Sequence, residues 1–393
     1  MEQTLEYGNS FYQFSFFTMK VDVPGDLKVL KDIQEYYLGI YFHEYIHFIQ
    51  DISTIYGLMN MSNTTYYIQS CASYISRIKD SKEFNAPITI ETLKNARTNQ
   101  ADFGILNHEV KPIYMGNAIN PKSKTVRDLR YEIHEIKLSN NAAIDVVKME
   151  FFDQYDEKRV FQFGGAILTE GMAYLCEQQL FSGILPKSDE YPYSIVEKVV
   201  ELIYPELAED KVAIVTLCDI SLMTYHPGLS FIRLLTYVKK QNLMTEFNDP
   251  IIFYEKCNAF LKGVHHDFDV IADYVRDEIK KNFNDPLFED IHNWLDLLFD
   301  NVKYLRKQLP QFVTGMILDD NLLINKYFNE VFDLLGTPLV LNGDGEAIIT
   351  YPKGFKPKES HSNVGLFMAI NQALRIFYLD KPTPCKLKKN NLF

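Results

Sequence analysis

The segment His43-Glu44-Tyr45-Ile46-His47 is the part of the sequence from which the fold is best predicted. It lies within residues 27–58, a stretch that contains no proline and repeats apolar residues at helical spacing. The pattern predicts helix, with Gly39 as a candidate break between two helices. Residues four apart on a helix lie on one face, about one turn from each other, so both histidine side chains can reach a single ion.

The residue types in this segment are those of a catalytic zinc site. Two imidazoles supply two ligands, and Glu44 directly follows the first of them, where it can meet a metal-bound water from the side. Zinc lowers the pKa of that water from ~15.7 to about 7, so that a carboxylate can take its proton. The segment therefore predicts Zn2+ ligation by His43 and His47, with Glu44 as the general base. Packing of both histidines on a buried helix face remains the alternative.

The sequence around the motif resembles the active-site helix of thermolysin-like gluzincins, which are zinc metallopeptidases. The match runs from His43 to Asp51, because those enzymes also carry a carboxylate four residues after the second histidine. The resemblance implies a hydrolase of peptide bonds, a zincin-like core and a glutamate on a later helix as third ligand. For Asp51, a structural role and a role in supporting the ligands both stay open. The third histidine of metzincins would fall at Ser53, which excludes that class.

A second helix resembles the third-ligand helix of several gluzincins, whose pattern is Glu-Gly-x-Ala. Here the segment reads Thr169-Glu170-Gly171-Met172-Ala173-Tyr174, so the resemblance implies Glu170 as the third zinc ligand. Its small residues would let the two helices pack closely, and Glu177 falls on the Glu170 face. The alternative third ligands are Glu132, His134 and Glu150.

The spacing of the two helices departs from the thermolysin-like pattern. His47 and Glu170 are 123 positions apart, far more than in those enzymes. The resemblance therefore implies a long insertion over residues 48–169, which we expect to cover the cleft. On this basis we expect a zincin-like catalytic region at 1–185 and a mostly helical region at 186–393.

Hydrolysis also needs a hydrogen-bond donor for the developing oxyanion, a role that gluzincins often give to tyrosine or histidine. The candidates are His226, in the segment Tyr225-His226-Pro227, followed by Tyr225 and Tyr174. Nothing in their spacing chooses between them. The alternative for His226 is a turn residue before a proline.

Composition and charge narrow the function classes. The chain has 393 residues, of which 47% are hydrophobic and 23% charged, which is typical of a globular protein and argues against disorder. Its net charge of -12 repels phosphate backbones and disfavours general nucleic-acid binding. The cysteines are odd in number and form no CxxC pair, so neither a disulfide framework nor a cysteine-rich zinc site is expected. They are Cys71, Cys176, Cys218, Cys257 and Cys385.

The location and partners are expected to be intracellular. Residues 1–6 lack the basic start and apolar stretch of a signal peptide, and no run approaches the length of a membrane span. We therefore predict a cytoplasmic protein without membrane association. Its partners would be a protein or peptide substrate and an activating or inhibiting protein, because a free cytosolic protease needs restraint. A toxin or phage-defence effector would fit such a design.

The remaining patterns predict an α+β, predominantly helical chain with a small β-sheet and a helical C-terminal half, and the resemblance to gluzincins implies a zincin-like core. Strands are expected at 11–22, 126–138, 144–152 and 159–163, with a hairpin near 338–351. Residues 99–125 are rich in glycine, proline and asparagine and predict loops. Further helices are expected at 62–80, 90–98, 164–181, 193–204, 210–224, 228–240, 248–262, 267–282, 286–307, 320–335 and 363–378.

Two other functions compete with the peptidase. Glu44 and His47 form an ExxH pair, and Glu289 and His292 form another, which is the element from which ferritin-like di-iron sites are built. The di-iron alternative leaves His43 without a role. The second alternative is a non-catalytic helical interaction protein. The presence of Glu44, the predicted general base, argues against it.

Overall fold

Helices make up about 60% of the structure, and short strands form two small sheets. The structure is a computed structural model that describes residues 10–78, 114–116, 122–138, 141–243, 249–261, 264–358 and 365–378. The predicted α+β, predominantly helical class is confirmed. The predicted helix at 90–98 and most of the predicted loop region at 99–125 lie outside the described residues.

The strands and helices are numbered in chain order. The strands are β1 (Phe11–Gln13), β2 (Thr18–Lys20), β3 (Arg127–Lys137), β4 (Ala143–Phe152), β5 (Lys158–Phe163), β6 (Leu339–Leu341) and β7 (Ala347–Ile348). The helices are α1 (Glu35–Ser53), α2 (Ile55–Ile78), α3 (Gly165–Leu180), α4 (Ile195–Ile203), α5 (Lys211–Leu222), α6 (Pro227–Gln241), α7 (Pro250–Asn258), α8 (Val264–Asn282), α9 (Glu289–Gln308), α10 (Phe312–Met316), α11 (Lys326–Leu335) and α12 (Gly365–Tyr378).

Among the described residues, the first sheet has the order β1-β2-β6-β7, with β1 at one edge. The strands β1 and β2 are antiparallel, whereas β2 and β6 are parallel. The prediction of one strand over 11–22 is therefore wrong, because the chain turns back on itself within it. Ser15 and Phe17 take positive φ angles of 68° and 51° in this turn. The turn is held by the backbone amide of Ser15, which donates to the buried carboxylate of Asp51 at 2.7 Å.

The second sheet, β3-β4-β5, is antiparallel and confirms the strands predicted there. One face of β4 packs into the main core through Val147, Met149 and Phe151. The other face carries charged pairs, such as Lys148 with Glu132 at 2.7 Å. This alternation of apolar and charged positions is what a strand with one solvated face requires.

The helix that carries the two histidines begins and ends differently from the prediction. It starts at Glu35, and the chain breaks at Thr54, whose backbone is extended, so the predicted break at Gly39 is wrong. Gly39 lies inside α1, where a Cβ atom would come within 2.6 Å of the Leu185 side chain. The glycine therefore permits close packing against the chain that follows α3.

Most predicted helices in the C-terminal half are present, with bounds shifted by a few residues. The helix predicted at 320–335 starts only at Lys326, because the Asn325 side chain caps it by accepting from the Phe328 amide. The short helix α10 was not predicted. The predicted hairpin is confirmed by the pairing of β6 with β7. No helix in the described ranges combines the length and apolar character that a membrane span requires.

The first sheet and the main core contain residues from both predicted regions of the chain, 1–185 and 186–393. The strand β6 pairs with β2, and one apolar cluster extends from Tyr12 to Met368. Within this core, Arg306 on α9 donates to both carboxylate oxygens of Asp219 on α5, each at 2.8 Å. Arg306 also donates to the carbonyl oxygen of Ser53, the last residue of α1, at 2.6 Å. The end of the histidine helix is thereby fixed to the C-terminal half.

Candidate metal centre

Two packed helices, α1 and α3, bring together the three predicted metal ligands. His43 and His47 come from α1, and Glu170 comes from α3. The Nε2 atoms of the two histidines lie 4.0 and 3.7 Å from Glu170 Oε2. Among the described residues, this is the one group of three such side chains whose ligand atoms all lie within 4.8 Å of one another.

The outer nitrogen of each histidine ring has its own partner. His43 Nδ1 lies 3.0 Å from Glu177 Oε2, and His47 Nδ1 lies 2.8 Å from Gln50 Oε1. Both partners accept hydrogen bonds, so each Nδ1 keeps its proton, and in the neutral ring Nε2 has the lone pair that a metal ion would take. Gln50 also donates through Nε2 to the carbonyl oxygen of Thr169 at 3.0 Å, which joins α1 to α3 beside the ligands.

The donor set fits a catalytic zinc ion. Two neutral imidazoles and one carboxylate are a known ligand set for catalytic zinc, which keeps a fourth position open. Tetrahedral ligands of zinc lie about 3.4 Å apart, so distances of 4.0 and 3.7 Å require only a small side-chain movement. The side chains of His43 and His47 are 12% and 4% exposed, whereas that of Glu170 is 35% exposed. The open side of the centre is therefore next to Glu170.

The charges of the centre complement each other. Burial by itself would lower the pKa of His47, but the adjacent carboxylates of Glu170 and Glu44 outweigh it and raise this pKa to about 9. Burial would likewise raise the pKa of Glu170, but the positive charge of His47, 3.7 Å away, outweighs it and lowers this pKa to about 2. Lys122 contributes to this lowering, which indicates a positive charge close to the open side.

Glu44 is buried beside the ligands, with 8% of its surface exposed. Burial raises the pKa of its carboxyl group, although the neighbouring charges of His43 and His47 and the backbone amide of Tyr12 oppose this change. The Tyr12 amide, which belongs to the edge strand β1, is close enough to Glu44 to affect this pKa. A carboxyl group whose pKa lies above its usual range is suited to both accept and return a proton near neutral pH.

Asp51 has a structural role, which decides between the alternatives that its sequence position left open. Its Oδ2 atom accepts from the Tyr12 hydroxyl at 2.8 Å and from the Ser15 amide at 2.7 Å. The ring of His47 bonds to Gln50 instead. Asp51 therefore holds the β1–β2 hairpin against α1, and burial raises its pKa to about 7.

Tyr193 lies beside the centre and was missed by the sequence analysis. Its ring centroid is 6.0 Å from that of His43, and its hydroxyl oxygen accepts from Lys122 Nζ at 2.6 Å. Burial and the charges of Glu170 and Glu44 raise the pKa of its hydroxyl group, which therefore stays protonated. Tyr193 belongs to the turn Glu190–Tyr193 between α3 and α4, where no periodic pattern marks a functional residue.

Two of the predicted oxyanion donors contact residues other than the predicted ligands. His226 bonds through Nε2 to the carbonyl oxygen of Asp145 at 2.7 Å, and burial lowers its pKa. Within the described ranges, its side chain bonds to β4 and not to a metal ligand. Tyr174 is 4% exposed and lies behind Tyr193, at a ring-centroid distance of 5.8 Å. Of these tyrosines, Tyr193 is the one in ring contact with a ligand.

Two of the three alternative ligands have lysine partners. Glu132, His134 and Glu150 lie on β3 and β4, where Glu150 pairs with Lys158 at 2.7 Å. In the second ExxH pair, Glu289 forms an ion pair with Lys358, and the ring of His292 stacks on Phe288. The described residues contain no second metal-ligand group that a di-iron centre could use.

The chain matches no protein-family model, no curated protein and no solved structure at a significant level. The resemblance to gluzincins therefore rests on the short segments 43–51 and 169–174. The function has to be argued from the chain's own residues and their geometry.

Proposed function

We propose that this protein is a zinc-dependent peptidase with a gluzincin-type centre, in which His43, His47 and Glu170 hold the ion. One observation carries the proposal: two Nε2 atoms and one carboxylate converge within 4.8 Å, with both rings fixed from behind by hydrogen bonds. Core histidines need only hydrogen-bond partners for their ring nitrogens, and nothing in core packing requires two Nε2 atoms to converge on one carboxylate.

Glu44 is the general base in this proposal. Zinc, when bound, supplies Lewis acidity that makes water a nucleophile near neutral pH and polarises the substrate carbonyl. Glu44 takes a proton from the attacking water on one carboxylate oxygen and returns it to the leaving amine. The raised pKa of its buried carboxyl group suits both steps.

Tyr193 is the donor that we assign to the developing oxyanion. Lys122 donates to the Tyr193 hydroxyl oxygen at 2.6 Å, which leaves the hydroxyl proton free to be donated elsewhere. The hydroxyl group lies close enough to Glu170 and Glu44 for their charges to raise its pKa. A donor held in advance at such a position stabilises the negative charge of the transition state.

A zincin-like core is also part of the proposal. The edge strand β1 contacts α1, and the Tyr12 amide reaches the general base. An edge strand beside a catalytic centre can hold an extended peptide by adding it as a further strand. Such binding favours a peptide substrate over a small molecule. A cytoplasmic location, an intracellular protein substrate and activity restrained by a partner protein stay predictions.

Hydrolysis of a peptide library, followed by mass spectrometry, tests the proposal. The purified wild-type protein is compared with Glu44→Gln, which keeps the shape of the side chain and removes its basicity. We expect cleavage by the wild type, loss of cleavage in the variant and equal zinc content in both. The exposed substitution Glu201→Gln is the matched control and should cleave normally. Equal cleavage by Glu44→Gln, or cleavage that persists after chelation and loss of zinc, would refute the assignment.

A further inference from the structure

A groove of about 590 Å³ opens at the N-terminal end of α1. Its walls come from the β1–β2 hairpin and the chain after it, from the first turns of α1 and from the turn between β6 and β7. The lining residues are Ser10, Asp22, Pro24, Tyr36, Tyr37, Ile40, Gly343 and Asp344. None of them has a role in the metal centre described above.

The groove and the metal centre share a helix face and a strand. Ile40 precedes Glu44 by four residues, and Tyr36 precedes Ile40 by four more, so all three lie on one side of α1. At 1.5 Å per residue, the groove begins about 6 Å from Glu44 along the helix axis and extends to about 12 Å. On the strand side, Ser10 directly precedes β1, whose Tyr12 amide meets Glu44.

The described lining of the groove carries two carboxylates and no basic side chain. Asp344 is fixed because its Oδ2 atom accepts from the Gly25 amide at 2.9 Å. Asp22 lies beside Gly343, where a Cβ atom would be 3.3 Å from its Oδ1 atom, so the glycine keeps this carboxylate accessible. The two formal charges outweigh the positive end of α1, which amounts to about half a charge.

Two aromatic rings complete the wall. Tyr36 and Tyr37 pack edge to face, with ring centroids 5.3 Å apart, and Tyr36 is 41% exposed. Tyrosine faces beside carboxylates form a suitable environment for a guanidinium or ammonium group, which gains from the charge and from the ring faces. A neutral or acidic side chain would gain neither interaction.

We propose that this groove is a substrate subsite that selects a lysine or arginine side chain two to four residues from the cleaved bond. The distance follows from the extended chain, which advances about 3.3 Å per residue over the 6–12 Å between the groove and Glu44. This inference rests on the proposed peptidase function. The free α-ammonium group of a peptide carries the same charge as a lysine or arginine side chain. It could reach the groove only if the peptide began two to four residues from the cleaved bond.

Binding of labelled peptides to zinc-loaded Glu44→Gln, measured by fluorescence anisotropy, tests the subsite without turnover. The probes are N-acetylated peptides derived from a substrate that the wild type cleaves, with arginine or glutamine at each position. We expect glutamine at the selected position to weaken binding about fivefold to tenfold. Asp22→Asn combined with Asp344→Asn should abolish this preference, and Asp320→Asn, an exposed control, should retain it. Acetylation itself should change nothing if a side chain is recognised.

The outcomes separate the subsite from the peptidase function. Equal binding of arginine and glutamine peptides overturns the subsite, while zinc content and wild-type cleavage leave the peptidase assignment intact. The subsite is also overturned if the preference for arginine over glutamine survives both aspartate substitutions. Loss of binding on acetylation of the peptide alone overturns it too. If no library peptide is cleaved, random N-acetylated peptides replace the substrate series, and failure of every one of them to bind also overturns the subsite.

Discussion

At the residue scale, Glu177 and Gln50 determine which nitrogen each histidine would offer to a zinc ion. Glu177 accepts from His43 Nδ1 at 3.0 Å without touching the centre itself. Substitution Glu177→Ala should therefore weaken zinc binding about 10–100-fold, because the His43 ring loses both its fixed tautomer and its orientation. Competition with a chromogenic chelator measures the affinity. The exposed substitution Glu201→Ala is the control, and an unchanged affinity of Glu177→Ala would show that the contact has no positioning role.

Tyr193 and His226 are rival donors that substitution can separate. Tyr193→Phe removes only the hydroxyl group, so we expect kcat to fall about 100-fold or more, with little change in KM and none in zinc content. His226→Gln should leave kcat unchanged, since His226 bonds to Asp145. Steady-state kinetics on a cleaved peptide provides both constants. The reverse pattern would return the role to His226.

Asp51 predicts a pH dependence of stability in the metal-free protein. Burial raises its pKa from an ordinary value near 3.8 to about 7, with Tyr12, Ser15 and His47 as the groups that face it. The folded protein thus holds a proton that the unfolded chain releases, and this stabilisation is present at pH 4 and lost as the pH rises toward 7. The side chain in Asp51→Asn cannot titrate. The free energy of unfolding of this variant, minus that of the wild type, should therefore rise by up to about 4 kcal/mol between pH 4 and pH 7.

Urea unfolding of the chelated proteins at several pH values measures this change. Asp320→Asn, at an exposed position, serves as the control and should follow the wild type. A difference between Asp51→Asn and wild type that stays constant from pH 4 to pH 7 would contradict the argument.

The site residues that could be predicted from the sequence are those that lie in short, recognisable segments. His43, Glu44 and His47 lie in one helical turn, and Glu170 lies in a short segment with a recognisable pattern. Gln50 and Tyr193 have no such signal, because their roles arise only when α1, α3 and the turn at Glu190–Tyr193 come together. The role of Asp51 also depends on a distant hairpin.

At the element scale, Gly57 controls how α2 departs from the end of α1. A Cβ atom there would lie 2.1 Å from the carbonyl oxygen of Asp51 and 2.4 Å from that of Gln50, both of which are backbone atoms. Gly57→Ala should therefore destabilise the protein by about 3 kcal/mol and disturb the Gln50 contact with His47. Thermal unfolding and zinc affinity measure the two effects. Gly365→Ala, also in a helix but in open space, is the control and should be neutral or stabilising.

Element boundaries were predicted less well than element types. The strand predicted at 11–22 is a hairpin because its turn is held by Asp51, which is remote in sequence. The break predicted at Gly39 occurs at Thr54 instead, since Gly39 meets Leu185 and Phe181 in close packing. In both cases a tertiary contact overrides a local preference for strand or for a helix break.

At the scale of the whole molecule, the Arg306–Asp219 pair fixes the histidine helix to the C-terminal half. Both side chains are buried, with 2% and 0% exposed. Arg306→Met leaves the Asp219 carboxylate buried without a partner and should cost about 3–5 kcal/mol of stability. The double variant Arg306→Met/Asp219→Leu removes both charges and should recover most of the loss. If both variants lose the same amount, packing or the Ser53 contact dominates the effect of the pair.

The long-range architecture could not be predicted from the sequence. The strand β2 pairs with β6, from Thr18 to Leu339, and no local pattern encodes a partner so distant. The same applies to the groove, whose walls join the start of α1 to Asp344. The helical content could be predicted because apolar spacing is a property of each segment alone.

The metal content of the purified protein tests the central claim most directly. Elemental analysis should find about one zinc per chain in wild type and in Glu44→Gln, and loss of zinc in Glu170→Ala. Glu132→Ala, at an alternative ligand paired with Lys148, should keep its zinc. A wild type without zinc, or full zinc in Glu170→Ala, would contradict the proposed centre, and two irons per chain would assign the protein to the di-iron class instead.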